Sequence, residues 1–196
     1  MPLEPAGLAP ILLPEASSSN APPLDLLSTE GVVVSTSGST GVPKPVFRPM
    51  SRMVAGAMAR ATALGLRPGD GLVGSVGLAS GQGVVHAVTA FMLGGPLHIV
   101  GRVDYRELLG ALADPAVACW RATAQFAELL GRVPMPSVPR VPPIVLVSSA
   151  VSDLVHERFV TRFGEPLRGA YSSSESGAIA VDAGPVAEVV AGTVGR

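Results

Sequence analysis

The sequence predicts an α/β fold, with a mostly parallel sheet flanked by helices on both faces. Short runs rich in β-branched residues alternate with helical patterns from residue 32 onward, and this alternation is typical of right-handed strand–helix–strand crossovers. The runs show no polar alternation, as expected for strands that are covered on both faces. At 196 residues, the chain is long enough to bury one core of this kind.

The individual elements follow from local patterns and turn signals. A β-branched run predicts a strand at 32–35, and a helical pattern predicts a helix at 50–64, which Gly65 and the Pro68-Gly69 pair end. The later strands are predicted at 72–76, 97–100, 117–119, 144–147, 167–169 and 178–181. The later helices are predicted at 83–93, 105–113, 122–132 and 152–163.

Three stretches need a separate interpretation. Residues 1–28 are rich in Pro, Ala, Ser and Leu, and they predict a loosely structured N-terminal segment ahead of an α/β core at 29–196. Residues 134–143 form a proline-rich connector. The stretch 71–101 contains no Asp, Glu, Lys or Arg, but Gly94-Gly95-Pro96 interrupts it. It therefore predicts a buried strand–helix–strand unit and not a membrane span.

Composition argues against several classes of protein. The net charge is −1 and charged residues make up 15% of the sequence, which gives no electrostatic footprint for nucleic acid or an anionic membrane. The single cysteine, Cys119, excludes a disulfide framework within the chain and fits a reducing, cytoplasmic compartment. Its apolar neighbours predict a buried side chain and not a nucleophile. The three histidines lack metal-ligand spacing.

The segment from Ser35 to Lys44, Ser-Thr-Ser-Gly-Ser-Thr-Gly-Val-Pro-Lys, is suited to binding a polyanion. Glycines let backbone N–H groups turn toward a ligand, hydroxyls add donors, and the lysine adds a positive charge. The segment is not a Walker A loop, because Val42-Pro43 separates Gly41 from the lysine. A flexible Gly/Ser connector is the alternative, although a strand before the segment and Pro-Lys after it favour a binding loop.

Residues Thr36 to Lys44 resemble the phosphate loop of the adenylate-forming superfamily, which includes acyl- and aryl-CoA synthetases, carrier-protein adenylation domains and luciferases. A second match lies downstream in the expected order. Residues 169–177, Gly-Ala-Tyr-Ser-Ser-Ser-Glu-Ser-Gly, resemble the family's Tyr-Gly-x-Thr-Glu-x-Gly segment, with Ser172 and Ser174 in place of glycine and threonine. The resemblance implies the core of the large domain of an adenylate-forming enzyme. Both motifs come just after predicted strands, and ligands of open α/β sheets bind beyond the carboxyl ends of the strands, so we expect the two loops to converge on one nucleotide.

The resemblance also implies a role for each matched residue. Lys44 would add charge near the β- and γ-phosphates, Ser174 would contact the α-phosphate, and Glu175 would hold Mg²⁺. These three are the candidate catalytic residues, and Glu175 is the candidate metal ligand. Tyr171 would lie against the adenine. The residues assigned to ATP or AMP binding are Thr36, Ser37, Gly38, Ser39, Thr40, Gly41, Ser149, Ala150, Tyr171, Ser172 and Ser173.

Two further stretches resemble the family less specifically. Residues 146–152 look like the segment that reads Gly-Gly-Ala/Glu-x-Leu and borders the adenine and acyl pocket, with Ser148 and Ser149 in place of the glycines. Residues 79–83 stand where acyl-CoA synthetases carry a Pro-x-x-His element, and that histidine is absent. Their small side chains would leave room for the substrate or the CoA arm, and they equally suit a helix packed tightly on a sheet.

The implied reaction is ATP-dependent activation of a small-molecule carboxylic acid as acyl-AMP, followed by transfer to a thiol, either CoA or a carrier-protein phosphopantetheine. The sequence does not select the acid. Residues 192–196 resemble the family's Gly-x-Val-Gly-Arg segment, while the Tyr-x-Thr-Gly-Asp segment and the small C-terminal domain have no match. We therefore expect a fragment or one partner of a longer ligase, acting with a separate C-terminal domain or carrier protein.

Two alternatives belong to other classes of protein. One is a non-catalytic module that binds a nucleotide or an acyl-adenylate. The other is a P-loop kinase or phosphatase, which the absence of a Walker lysine and of an Asp-ended strand disfavours.

Overall fold

A computed structural model describes residues 30–36, 44–78, 80–100, 105–132, 134, 139–191 and 193 of the chain. The prediction for residues 1–28 lies outside these residues. The elements described below belong to the unit Gly31–Arg196.

The described residues form strands and helices in the predicted alternation. The strands are β1 (Gly31–Ser35), β2 (Pro45–Pro49), β3 (Gly71–Gly74), β4 (Leu97–Ile99), β5 (Val117–Ala122), β6 (Ile144–Val147), β7 (Leu167–Ser173) and β8 (Gly177–Val181). The helices are α1 (Met50–Ala63), α2 (Gly81–Leu93), α3 (Tyr105–Leu112), α4 (Ala124–Arg132) and α5 (Asp153–Phe163), and a short 3₁₀ turn covers Val186–Glu188.

The main sheet contains six strands in the order β4-β3-β5-β6-β7-β8. The strands from β3 to β7 are parallel to their neighbours, and β8 is antiparallel to β7 at the edge. In the centre, Trp120 of β5 pairs with Val73 of β3 and Val145 of β6. The prediction of an α/β fold with a mostly parallel sheet is therefore confirmed.

Helices cover both faces of this sheet. Because neighbouring residues of a strand point to opposite sides, adjacent residues of β5 pack against different helices. Trp120 packs on one face in a buried cluster that includes Phe126 of α4 and Phe159 of α5. Cys119 packs on the other face with Ala61 of α1 and Ala90 of α2. The cysteine is buried as predicted, and burial raises the pKa of its thiol to about 12.

The first strand does not belong to the main sheet. It forms a separate two-stranded antiparallel sheet with β2, in which Val33 pairs with Phe47. Strand β2 is absent from the sequence-based prediction, since prolines at both of its ends mask the strand pattern. Those positions tolerate proline because the strand has one partner and needs no donor on its open side.

Strand β7 is longer than the predicted 167–169, because residues 170–173 pair with β8 in an antiparallel hairpin. The charge-free stretch forms β3, α2 and β4, as predicted. Within the described residues, we find no helix with the length and apolar character that a membrane crossing requires.

Candidate active site

A cavity of about 580 Å³ lies at the carboxyl ends of β5 and β7. Its walls come from the β1–β2 hairpin, helices α1 and α2, the end of β5 and the β7–β8 hairpin. In sheets of this class, ligands bind beyond the carboxyl ends of the strands. The predicted site residues that line it are Thr36, Lys44, Tyr171, Ser172, Ser173, Ser174 and Glu175.

The two ends of the predicted phosphate loop are hydrogen-bonded to each other. The Thr36 backbone N–H donates to the Lys44 carbonyl oxygen at 2.9 Å, and the Lys44 N–H donates to Thr36 Oγ1 at 3.1 Å. Lys44 is also the sole lysine of the sequence. The predicted phosphate ligands Ser37, Gly38, Ser39, Thr40 and Gly41 lie outside the described residues.

The second motif forms the turn of the β7–β8 hairpin and the strand before it. The predicted strand ends at 169, but Tyr171, Ser172 and Ser173 lie within β7, so the sequence-based placement of these residues in a loop is wrong. Pairing with β8 extends the strand. Ser174 and Glu175 lie in the turn, where Ser173 Oγ accepts a 3.0 Å hydrogen bond from the Ser176 N–H.

Arg48 joins the two motifs. This residue of β2 is 7% exposed, and its Nη1 donates to the Ser174 carbonyl oxygen at 3.1 Å. At the start of β8, Gly177 has a φ of +81°, and a Cβ there would lie 2.3 Å from Arg48 Nη2. The positive φ therefore favours glycine at this position, and a larger residue would also displace the Arg48 guanidinium.

A second cavity of about 200 Å³ is lined by Ser149 and Ala150, the predicted nucleotide-binding residues, among those described, that the larger cavity does not include. Both residues follow β6. Tyr171 lines both cavities, and its side chain is 53% exposed. The predicted adenine residues thus meet around Tyr171, next to the cavity that contains Lys44 and Glu175.

Three arginines that the sequence analysis did not select line the larger cavity. Arg48 and Arg60 are each 7% exposed, and Arg121 is 2% exposed. They are far apart in the sequence, so spacing gave no sign that they meet. One signal was available: Arg121 interrupts an otherwise apolar strand, and a charge at such a position needs a partner or a ligand.

The contacts of Arg60 and Arg121 are with neutral acceptors. Arg60 Nη2 donates to Thr89 Oγ1 at 2.7 Å, while Arg121 donates to Gln82 Oε1 at 3.2 Å and to Ser148 Oγ. The ion pairs within the described residues are His98–Asp114 and Arg132–Glu128, and neither includes these arginines. Burial, with the charge of Arg60 nearby, lowers the pKa of Arg121 to about 10, so the guanidinium stays protonated at neutral pH.

The charge distribution of the larger cavity suits a polyanion. The described residues that line it include Lys44 and the three buried arginines, with Glu175 as the carboxylate. No group of three or more His, Cys, Asp or Glu that could hold a metal ion occurs among the described residues. Mg²⁺ commonly binds through one or two carboxylates together with substrate phosphates. Glu175 is exposed beside the predicted phosphate loop, and such a carboxylate is compatible with a Mg²⁺ ion that arrives with a nucleotide.

Comparison with known proteins identifies the family. The sequence profile of AMP-binding enzymes matches residues 25–196. The chain therefore belongs to the AMP-binding enzyme family, the adenylate-forming superfamily that its motifs resemble. A search of curated proteins finds no match.

Solved structures show the same fold. A malonyl-CoA ligase, in a ternary product complex with methylmalonyl-CoA and AMP, has 25% identity and a TM-score of 0.71, over 83% of this chain and 36% of the ligase. ATP-bound MatB from Rhodopseudomonas palustris has 17% identity and a TM-score of 0.71, over 83% of this chain and 33% of MatB. The inhibitor-bound N-terminal domain of FACL13 from Mycobacterium tuberculosis has 16% identity and a TM-score of 0.73, over 86% of this chain and 43% of the FACL13 chain. The chain thus spans between a third and a half of these proteins.

Proposed function

We propose that this chain binds Mg-ATP and a small carboxylic acid, and that it forms the nucleotide-binding part of an enzyme that converts the acid to acyl-AMP. The observation that carries the proposal is the meeting of two distant motifs at one cavity. Arg48 follows the first motif, and Ser174, 126 residues further on, supplies the carbonyl that this arginine binds.

The chemistry requires electrostatic stabilisation. A carboxylate oxygen attacks the α-phosphorus of ATP, the bond to the bridging oxygen breaks, and pyrophosphate leaves. Both reactants are anionic, so the site must neutralise charge before they approach each other. In the proposal, Lys44 and the residues at 37–41 bind the β- and γ-phosphates, and Ser174 contacts the α-phosphate.

The metal and the adenine complete the proposed site. Glu175 would hold Mg²⁺, and the bound ion would supply Lewis-acid neutralisation of the phosphate charge. Tyr171, Ser149 and Ala150 line the smaller cavity, which is where we place the adenine. This division leaves the part of the larger cavity near α2 and β5 for the acid.

The later stage and the partners are also proposals. Transfer of the acyl group to CoA or to a phosphopantetheine thiol is supported by the CoA product in the malonyl-CoA ligase complex. We also propose that a C-terminal domain of the family or a carrier protein acts together with this chain. We further propose that the reaction takes place in the cytoplasm, where ATP and CoA are available.

Calorimetric titration with ATP tests the proposal. We expect micromolar binding in the presence of Mg²⁺, weakened at least tenfold by Lys44→Ala, which removes a cation from the phosphate site. Glu175→Gln should weaken binding with Mg²⁺ present but not in EDTA, because the carboxylate acts through the metal. Glu157→Gln, an exposed carboxylate on α5, is the matched control and should bind like the wild type.

Two results would change the interpretation. A folded wild type that binds no ATP, with or without Mg²⁺, would contradict the proposed function. Tight Mg-ATP binding without acid-dependent pyrophosphate exchange, even after a C-terminal domain of the family is added, would favour the non-catalytic binding module.

A further inference from the structure

We propose that the acid bound by this chain carries a second anionic group, as a dicarboxylic acid does, and that Arg121 binds this group with support from Arg60. The inference rests on the proposed function, because it places the acid in the larger cavity.

The position of Arg121 is the first argument. It is the penultimate residue of β5, the strand between β3 and β6 in the main sheet, and its side chain is 2% exposed while lining the cavity. Removing a guanidinium from water is costly unless an anion compensates. No carboxylate among the described residues forms an ion pair with it. A ligand anion would supply the missing charge.

The surrounding contacts hold the guanidinium in a fixed orientation. Its Nε donates to Gln82 Oε1 at 3.2 Å, and its Nη2 donates to Ser148 Oγ. The Gln82 amide is itself fixed, because its Nε2 donates to Ser172 Oγ at 3.0 Å. These bonds use Nε and Nη2 of Arg121, and the N–H groups of Nη1 can donate to a carboxylate in the cavity. A guanidinium held in this way is prepared for an oxyanion.

Arg60 adds a second positive charge to the same cavity. It is 7% exposed, and the acceptors that orient its Nη2 are Thr89 Oγ1 and the Val85 carbonyl oxygen, both neutral. Arg60 is close enough to Arg121 that its charge disfavours the protonated form of Arg121. An anion in the cavity would relieve this repulsion, which a neutral or purely apolar acyl tail would not.

Binding of matched acids tests the inference. The probes are malonate, succinate, glutarate and adipate, each compared by calorimetry with the monocarboxylate of the same carbon number. Each acid is titrated once in the absence of nucleotide and once in the presence of Mg²⁺ and saturating α,β-methylene-ATP. This analogue binds as ATP does but cannot release pyrophosphate. We expect at least one dicarboxylate to bind tenfold to a hundredfold more tightly than its partner acid.

Variants assign that preference to the arginine. Arg121→Gln should abolish it, and Arg121→Lys should retain part of it, since a charge remains without the planar fork. Nucleotide affinity should change less than twofold in both. Arg158→Gln on α5, which removes an exposed arginine that does not line the cavity, should keep the full preference.

Four outcomes separate this inference from the proposed function. Equal binding of every dicarboxylate and its partner acid, or no acid binding beside normal nucleotide binding, would overturn the inference alone. A loss of nucleotide affinity in Arg121→Gln as large as the loss of acid affinity would also overturn it, because the guanidinium would then serve the phosphates. A dicarboxylate preference without any nucleotide binding would support the anion site and contradict the proposed function.

Discussion

His86 is a buried histidine that the fold keeps neutral. Its Nε2 lies 3.0 Å from the Val73 carbonyl oxygen, and its side chain is 1% exposed. Burial, reinforced by the charges of Arg60 and Arg121, lowers its pKa from 6.5 to about 3. The unfolded chain therefore binds a proton between these pH values that the folded chain does not bind.

This difference predicts how stability depends on pH. Because the unfolded state takes up more protons, the free energy of unfolding falls as the pH falls from about 6.5 toward 3. Between pH 7 and pH 5, His86 should account for a loss of about 2 kcal/mol. Urea titrations of the wild type and His86→Gln check this, since the glutamine amide can still donate to Val73 but does not titrate. Equal losses in the two proteins would contradict the assignment.

The residues of the site were predictable only in part. Lys44 and Glu175, which both line the larger cavity, were selected because each belongs to a short motif that can be recognised from consecutive residues. Arg48, Arg60 and Arg121 were not selected, because β2, α1 and β5 bring them to one cavity from distant parts of the sequence. An arginine inside an apolar strand was the one available signal, and it indicates a buried charge without naming its partner.

At the scale of elements, the N-terminal turn of α2 forms part of the cavity wall and is tightly packed. Ser80 caps the helix by accepting a 3.0 Å hydrogen bond from the Gly83 N–H, and Ser80 Oγ donates to the Gly77 carbonyl oxygen at 2.8 Å. A Cβ on Gly83 would lie 2.2 Å from that same carbonyl oxygen. The close approach of helix and turn therefore requires a glycine.

Two helical glycines give opposite predictions for the same substitution. Gly83→Ala should lower the free energy of unfolding by about 1–3 kcal/mol, because the added methyl group collides with the turn. Gly56→Ala in α1 should raise it by about 0.5–1 kcal/mol, because its Cβ would meet nothing within 4 Å and alanine favours a helix. Denaturant titration of both variants checks this. A stabilised Gly83→Ala protein would show that the turn can move away.

The elements that the sequence missed depend on distant pairing. β2 forms because it pairs with β1, and β7 continues past residue 169 because it pairs there with the antiparallel strand β8. Neither β2 nor the end of β7 has a strong local strand pattern. Prolines lie at both ends of β2, and serines occupy the last positions of β7. The long apolar runs carry their signal in consecutive residues, and the strands and helices that they form were predicted to within a few residues of the observed bounds.

At the scale of the whole molecule, the two motifs reach the cavity by different routes. The second lies partly within β7 of the main sheet and continues into the turn after it, whereas the sequence predicted a loop after the strand. The first follows β1, which lies outside that sheet, so the argument from parallel strand ends does not explain its position. Val32 of β1 instead packs against the buried cluster of Met53, Ala57 and Val85 from α1 and α2, and Arg48 of β2 donates to the Ser174 carbonyl oxygen. The convergence of the motifs was predicted, and the hairpin that produces it was not.

Hydrogen exchange measured by mass spectrometry, with and without Mg-ATP, tests the central claim that the two motifs form one nucleotide site. We predict slower exchange in peptides spanning 35–49 and in peptides spanning 170–178, with the same dependence on ATP concentration. Helix α3 should be unaffected, because it contributes nothing to either cavity. Protection of both segments with one apparent affinity would support the account. Protection of one segment alone, or of the two at clearly different concentrations, would contradict it.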